Sequence, residues 1–268
     1  MLDSLWKEAA LTSESVTPSW EIFHENSKTG HYDGSLTNDQ VVDEMSNLYD
    51  VFPYHQFPSI PLPASFAHIE RSFMETVTNR VTPKEIVPKT LTLEQLHTIL
   101  YCGYGVTRDN KDNEYIRRPF RTVPSGGALY PLELYFYTNE RVESLKAGLY
   151  HYSPVENSIQ FIREGNFDEE IANTLVGFQT HLAYDTSLIL FITAAFNRST
   201  FKYKEKGYRF ALFEAGHVAQ NINLAATALE LGIINIGGYH DRLVDRFLKI
   251  DGLNHATVYL NGICSGDK

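Results

Sequence analysis

Three short segments of this 268-residue chain combine side chains and bare backbone in ways that could do chemistry. The first is RTVPSGGALYPLE at 121–133. Here Pro124, Ser125, Gly126 and Gly127 form a turn with two residues lacking side chains, so backbone amides can come within van der Waals reach of a planar ligand. Arg121, three residues before the turn and close to Arg117 and Arg118, offers a fixed charge for a phosphate. The second segment, KYKEKGYRFALFEAGHVAQN at 202–221, sets Lys202, Lys204, Lys206 and Arg209 against the lone carboxylate of Glu205 over its first turns. The third is GGYHD at 237–241, where Gly237 and Gly238 make another side-chain-free bend. Each segment also has a plainer reading: a loop-to-strand turn, a solvated basic loop, and a tight turn.

Several chemistries are excluded. The chain has no GxGxxG after a strand and no GxxxxGK[ST], which argues against a Rossmann dinucleotide site and a Walker phosphate loop. It also lacks a GxSxG elbow and an HExxH zinc motif. Its ten histidines have no ligand spacing, and His151, between two tyrosines on a strand, reads as a structural residue. The two cysteines, Cys102 and Cys264, form no CxxC pair, so neither a disulfide framework nor a Cys-based zinc site is expected. No metal site is expected at all. A formal charge of −10 gives no basic footprint for nucleic acid. The strongest apolar run, 188–196, is about half of what a membrane span requires. The first twenty residues carry Asp3, Lys7, Glu8 and Glu14 and no apolar signal region, so a cytoplasmic protein without a membrane partner is expected.

The elements that must position the three segments follow from periodicity. With 43% hydrophobic and 21% charged residues the chain can bury a sizeable core, and its 16 Phe and 16 Tyr suit either an aromatic core or a cavity for a flat ligand. Thr92 and Gln95 fit a capping box ahead of Leu96, Ile99 and Leu100, which predicts a helix near 92–102 ended by Gly103. Residues 107–118 are polar and read as a loop. Strands are expected at 132–137 and 188–196, a hairpin at 148–152 and 158–162, and a last helix near 241–249 before a final strand at 256–264. A helix from about 210 to 231, stopped by Gly232, is apolar on nearly every side and should be buried at the centre of the protein or of a dimer interface. Without a regular βαβ repeat, the class is α+β. Residues 1–65 differ from the rest and read as an N-terminal extension, with 66–268 as the main domain. Pro53, Pro58, Pro61 and Pro63 make 51–63 an extended strap over another surface, either the protein's own core or a second subunit.

Taken together, RTVPSGGALYPLE, GLYHYSP at 148–154, the KY-containing segment and GGYHD occur in the order found in SagB/McbC-type dehydrogenases of the flavin-dependent nitroreductase superfamily, and FHENSK at 23–28 is similar to that family's N-terminal HxxxK-type segment. The resemblance spans roughly 20–30 and 85–265. It implies an α+β nitroreductase-like fold: a central, mostly antiparallel sheet flanked by helices, with a long buried helix and FMN shared across a homodimer. It further implies oxidation of peptide thiazolines and oxazolines to thiazoles and oxazoles while a bacteriocin or toxin peptide matures, in a complex with a cyclodehydratase that makes the rings from Cys, Ser and Thr. Alternatives are a stand-alone flavin reductase acting on nitro compounds or quinones, and a non-catalytic scaffold subunit.

By the same resemblance the family's Lys-Tyr pair corresponds to Lys202 and Tyr203, as base or proton relay and as its orienting partner, with the order of roles left open. The superfamily's Pro-Ser turn along the flavin corresponds to Pro124, Ser125, Gly126 and Gly127, and its glycine loop to Gly237 and Gly238. Arg121 corresponds to the arginine before the turn, a phosphate or ring-oxygen contact, and Arg209 joins it as a cofactor-binding candidate. Two departures stand out. The superfamily's Arg-x-Ser-x-Arg phosphate motif keeps only Arg80 in the stretch 75–84, and Ala128-Leu129 replaces the Asn that ordinary nitroreductases place after the turn.

Overall fold

The computed structural model of the chain describes residues 18–30, 36–112 and 118–266; Arg117 and its neighbours in the polar loop lie outside the described residues. Helices α1 (Ser19–Asn26) and α2 (Asn38–Ser46) precede a three-residue strand β1 (Ser59–Pro61) and helix α3 (Phe73–Asn79). Next come α4 (Leu93–Tyr104), the short pair β2 (Val106–Arg108) and β3 (Phe120–Arg121), and the strands β4 (Leu132–Thr138), β5 (Gly148–Ser153) and β6 (Ser158–Glu164). Two short helices, α5 (Asp168–Ala172) and α6 (Leu182–Asp185), lead into β7 (Leu188–Ala195), α7 (Asn197–Tyr203) and the long α8 (Glu205–Ala228). Strand β8 (Leu231–Ile236), helix α9 (Asp241–Leu248) and strand β9 (His255–Ser265) complete the chain.

The main sheet has seven strands in the order β1-β6-β5-β4-β7-β9-β8, every pair antiparallel. Alternate residues of a strand point to opposite faces, and both faces here are covered. Leu132, Leu134 and Phe136 of β4, with Leu188, Leu190 and Ile192 of β7, pack with residues of α4 and α8. Tyr135 and Tyr137, with Ile189 and Phe191, pack on the other side with residues of α5, α6 and α9. Burial on both faces is why 188–195, broken only by Thr193, reads as a continuous apolar run rather than an alternating one. The fold is the expected α+β arrangement of an antiparallel sheet flanked by helices.

Helix α4 begins with the expected capping box, Thr92 accepting from the Gln95 amide and the Gln95 side chain accepting from the Thr92 amide. It does not stop at Gly103. That glycine is internal, and a Cβ there would lie 2.9 Å from Ile222 Cγ1, so its bareness lets α4 and α8 approach closely. Gly232 likewise is no helix stop: α8 ends at Ala228, Glu230 takes the left-handed turn at φ 59°, and Gly232 sits inside β8 where Ser265 of β9 crowds it. Within one chain α8 is covered on most sides, while Tyr208, Leu212 and Phe213 face outwards.

The strap lies on the protein's own core. The Phe52 amide donates to Glu133 Oε1 at 3.0 Å, the Tyr54 and Tyr135 hydroxyls are 2.8 Å apart, and β1 extends the sheet beside β6. Beneath it is a buried ionic cluster. Glu133 of β4 meets His151 Nε2 at 2.7 Å and Arg198 Nη2 at 2.6 Å, and His151 Nδ1 is 3.0 Å from Gln160 Oε1. Burial alone would raise the Glu133 carboxyl, but the Arg198 charge and the His151 contact outweigh it and hold the pKa at about 2. His151 is thus a partnered core residue, as its sequence context indicates.

Candidate active site at the end of the sheet

Lys202 and Tyr203 close α7, which leaves the end of β7. The chain then breaks sharply, since Lys204 takes φ 50° and ψ −134° before α8 begins. Opposite this break, the turn before β4 is distorted in the same sense: Gly127 has φ 66°, Ala128 φ 53° and Tyr130 φ 46°. Left-handed backbone at non-glycine residues costs on the order of 1–3 kcal/mol each and persists where its surroundings over-determine it, often at functional sites. The two strained segments touch. A Cβ on Gly127 would fall 2.6 Å from Tyr203 Oη and 3.2 Å from Lys202 Nζ, and one on Gly126 would fall 2.8 Å from Phe210 Cδ2. The glycines at 126 and 127 therefore make room for α7 and α8 side chains, while Pro124 on the outer side is exposed and 125–127 half-buried.

The pair is also held together internally. Lys202 Nζ lies 5.2 Å from the centre of the Tyr203 ring, and that ring meets Phe210 edge-on at 5.0 Å. Beside them opens a cleft of about 380 Å³ lined by Ser27, Lys28, Lys202, Tyr203, Lys204 and Lys206. Arg209 Nη1 donates to Ser27 Oγ at 3.2 Å, which joins α8 to the loop after α1. The FHENSK segment at 23–28 and the KY-containing segment thus border one cleft.

The remaining sequence candidates lie elsewhere. Gly237 and Gly238 follow β8 at the same end of the sheet but three strand spacings from β4, roughly 14 Å at 4.7–4.9 Å per spacing. Gly237 is open, with nothing within 4 Å of a Cβ, whereas Gly238 packs on Val176 and Gln179. Arg121 is buried: its Nη2 donates to the Asp50 carbonyl at 2.8 Å and its guanidinium lies 4.1 Å over the Tyr104 ring. A side chain so engaged braces the strap and the turn, and the expected phosphate contact is not what it makes within the chain. Arg80 caps α3 in the stretch that leads past Pro83, beside Gly232, to Val87, which accepts from the Ser265 amide. That is the opposite end of the sheet, so one chain does not bring Arg80 to the turn.

Two neighbours of the turn escape a reading by motif. Phe210 forms the wall behind Gly126. Glu214, buried on α8, accepts from the Tyr104 hydroxyl at 2.6 Å. Burial raises its carboxyl to about 7, against the opposing pull of the Ser125 and Tyr104 hydroxyls and Arg121. One signal was present in the sequence: a carboxylate at the helical spacing of Phe210, Ala211, Ala215 and Val218 is out of place on an apolar face. Among the described residues no cluster of His, Cys, Asp and Glu is placed to hold a metal ion, and no helix is long and apolar enough to cross a membrane.

A two-faced antiparallel sheet flanked by helices is the fold expected of a nitroreductase-like protein. The chain belongs to the nitroreductase family, whose model matches residues 77–263. It is 35% identical over 176 residues to the nitroreductase-assigned protein MJ1384 of Methanocaldococcus jannaschii, covering 66% of this chain and 83% of that one. It is 32% identical over 139 residues to the microcin B17-processing protein McbC of Escherichia coli, covering 51% of this chain and half of McbC. Among solved structures, a chain of the Escherichia coli microcin synthetase McbBCD complex with truncated pro-MccB17 bound superposes with a TM-score of 0.57 at 21% identity, over 98% of this chain and 87% of that one.

Proposed function

We propose that this chain is an FMN-dependent azoline dehydrogenase that oxidises thiazoline and oxazoline rings of a ribosomally made peptide to thiazoles and oxazoles, in the maturation of a bacteriocin or toxin. The observation that carries the reading is the approach of the Lys202 amine and Tyr203 hydroxyl to the Gly127 backbone, which puts proton-handling groups at the edge of a turn suited to a flat ring. Support also comes from the 32% identity to a protein named for microcin B17 processing.

The residues present fit such a cofactor. The outer side of 124–127 is accessible, and Gly237 leaves open space where a side chain would begin. Pro124, Ser125, Gly126 and Gly127 would border the ring, while Gly237 and the packed Gly238, three strand spacings away, do not reach the same ring face within one chain. Arg209 and Lys206 supply cationic charge for the phosphate, and Arg80, at the far end of the sheet, could serve only the site of a second copy. When bound, FMN supplies a two-electron acceptor for the hydride lost from the azoline carbon. Lys202 is the base or relay that takes the proton from the ring's α-carbon, and Tyr203 orients or shares it. The C–H bonds lost as proton and hydride leave the aromatic ring two hydrogens lighter. The exposed Tyr208, Leu212 and Phe213 face of α8 supports a homodimer. We assign the first 65 residues, where Trp20 and Ile22 of α1 are exposed, to contact with cyclodehydratase subunits.

The test is mass spectrometry of a pre-cyclised peptide incubated with the FMN-loaded protein. Lys202→Ala should keep its flavin spectrum and lose ~10²–10⁴ in azole formation, the usual worth of a positioned proton-transfer group; full turnover by that variant removes Lys202 from the mechanism. The match to MJ1384 favours a second reading, a stand-alone reductase. Rapid NAD(P)H consumption with a quinone and no peptide would select it.

A further inference from the structure

The 124–131 turn is strained at Ala128 and Tyr130, so something must hold both of its ends. At its start, Ser125 Oγ accepts from the Tyr130 amide at 2.9 Å and bears on the buried carboxyl of Glu214. At its end, the Leu132 amide donates to the Tyr104 hydroxyl at 3.1 Å, and that hydroxyl donates to Glu214 Oε1 at 2.6 Å. The far end of the turn is therefore tied through Tyr104 to one side chain, and Ser125 at its start faces the same carboxyl. Glu214 is 2% exposed, and its Oε2 has no hydrogen-bond partner. A buried oxygen left without a partner is costly and calls for a reason.

We propose that Glu214 is a positioning residue: its carboxyl holds the Tyr104 hydroxyl, through which it anchors the end of the strained turn at Leu132, and so sets where the Gly127 backbone meets Lys202 and Tyr203. The reach to Lys202 and Tyr203 rests on the function proposed above; the clamp itself does not. The charged and titratable groups facing Glu214 are Tyr104 from α4, Arg121 from β3 and Tyr130 from the turn. Burial favours the neutral acid, whose proton suits the side of the carboxyl that now has no donor. Ionisation above neutral pH leaves a buried negative charge that the Tyr104 and Ser125 hydroxyls and Arg121 only partly offset, so the packing around the turn weakens without a change in the catalytic pair itself.

Hydrogen–deuterium exchange by mass spectrometry on the full chain, with no added FMN, tests this. Glu214→Ala should exchange roughly tenfold faster at 122–131, with β7 and β9 unchanged. Glu214→Gln, neutral at every pH and still able to accept from Tyr104, should restore slow exchange and abolish the extra loosening that the native chain shows above about pH 7. Wild-type exchange in the turn of Glu214→Ala overturns the proposal, as does a uniform rise across the whole sheet or a failure of Gln to rescue. If the native chain takes up no FMN, the functional reading falls while the exchange result still decides the clamp. With FMN bound, the visible circular dichroism of Glu214→Ala should differ from that of Glu214→Gln, and identical spectra count against the clamp reaching the site.

Discussion

Two places in the molecule concentrate charge, and they treat it in opposite ways. Under the strap, Glu133, His151 and Arg198 are buried, each lying within ion-pair distance of another. At the end of the sheet, Lys28, Lys202, Lys204 and Lys206 line a cleft with Glu205 as the carboxylate among them, and Arg209 reaches its wall at Ser27. A desolvated ion must be compensated, so the first group is tied into the fold. The second is left in partial contact with water, with cations in excess, which is a disposition suited to an anionic ligand. Neutralised charge marks structure here, and surplus charge beside strained backbone marks the site.

The sharpest way to break this comparison is to remove one partner of the buried group. Arg198→Met should lower unfolding stability by about 3–5 kcal/mol, because Glu133 is left buried with only His151 and the Phe52 amide against its charge, and urea denaturation will show it. Adding Glu133→Gln to that variant should return much of the loss. Next in size is Gly127→Ala, which places a Cβ at φ 66° against Tyr203 Oη. It should cost about 1–3 kcal/mol and displace the Lys202–Tyr203 pair, whereas Gly237→Ala, facing open space, should leave the melting temperature within a degree or two.

The pH dependence sharpens the contrast further. Burial, first among its causes, depresses the His255 imidazole from 6.5 to about 4, so the folded chain binds fewer protons than the unfolded one across that window. Stability from this group is full above pH 6.5 and is lost as pH falls towards 4, and Glu133 adds a second loss between 4.5 and about 2. Glu214 runs the other way: its contribution is full below pH 4.5 and is lost as pH rises through about 7. Thermal melts from pH 2 to 9 should therefore show an acid limb that responds to the 133–255 region and a shallow neutral limb abolished by Glu214→Gln. Smallest of all is the exposed Lys146–Glu164 pair, where Lys146→Ala should change stability by about 0–1 kcal/mol.

What the sequence disclosed was whatever repeats at short range. The Thr92–Gln95 cap, the 148–164 hairpin and the β7 run are set by neighbours a few residues apart, and the structure has them within a residue or two of expectation. The helix expected at 210–231 begins five residues earlier and ends three sooner, because glycine at 232 answers to Ser265 across the sheet and not to the helix before it. Gly103 is misread for the same reason, through Ile222. The Lys-Tyr pair and the Pro-Ser-Gly-Gly turn were legible as motifs, yet their contact depends on two chain segments some seventy-five residues apart. Arg121 shows the converse limit: a cation near a turn looks available in sequence until Tyr104 and Asp50 are folded against it.

The three-residue β1 carries one more consequence. As the outermost strand beside β6 it is brief and set among Pro58, Pro61 and Pro63, none of which has an amide hydrogen to offer. A stray β-segment from another molecule would find almost no ladder to continue there, so this border of the sheet is protected against edge-to-edge aggregation. Replacing the three prolines with threonine would supply the missing donors and turn a guarded margin into a sticky one.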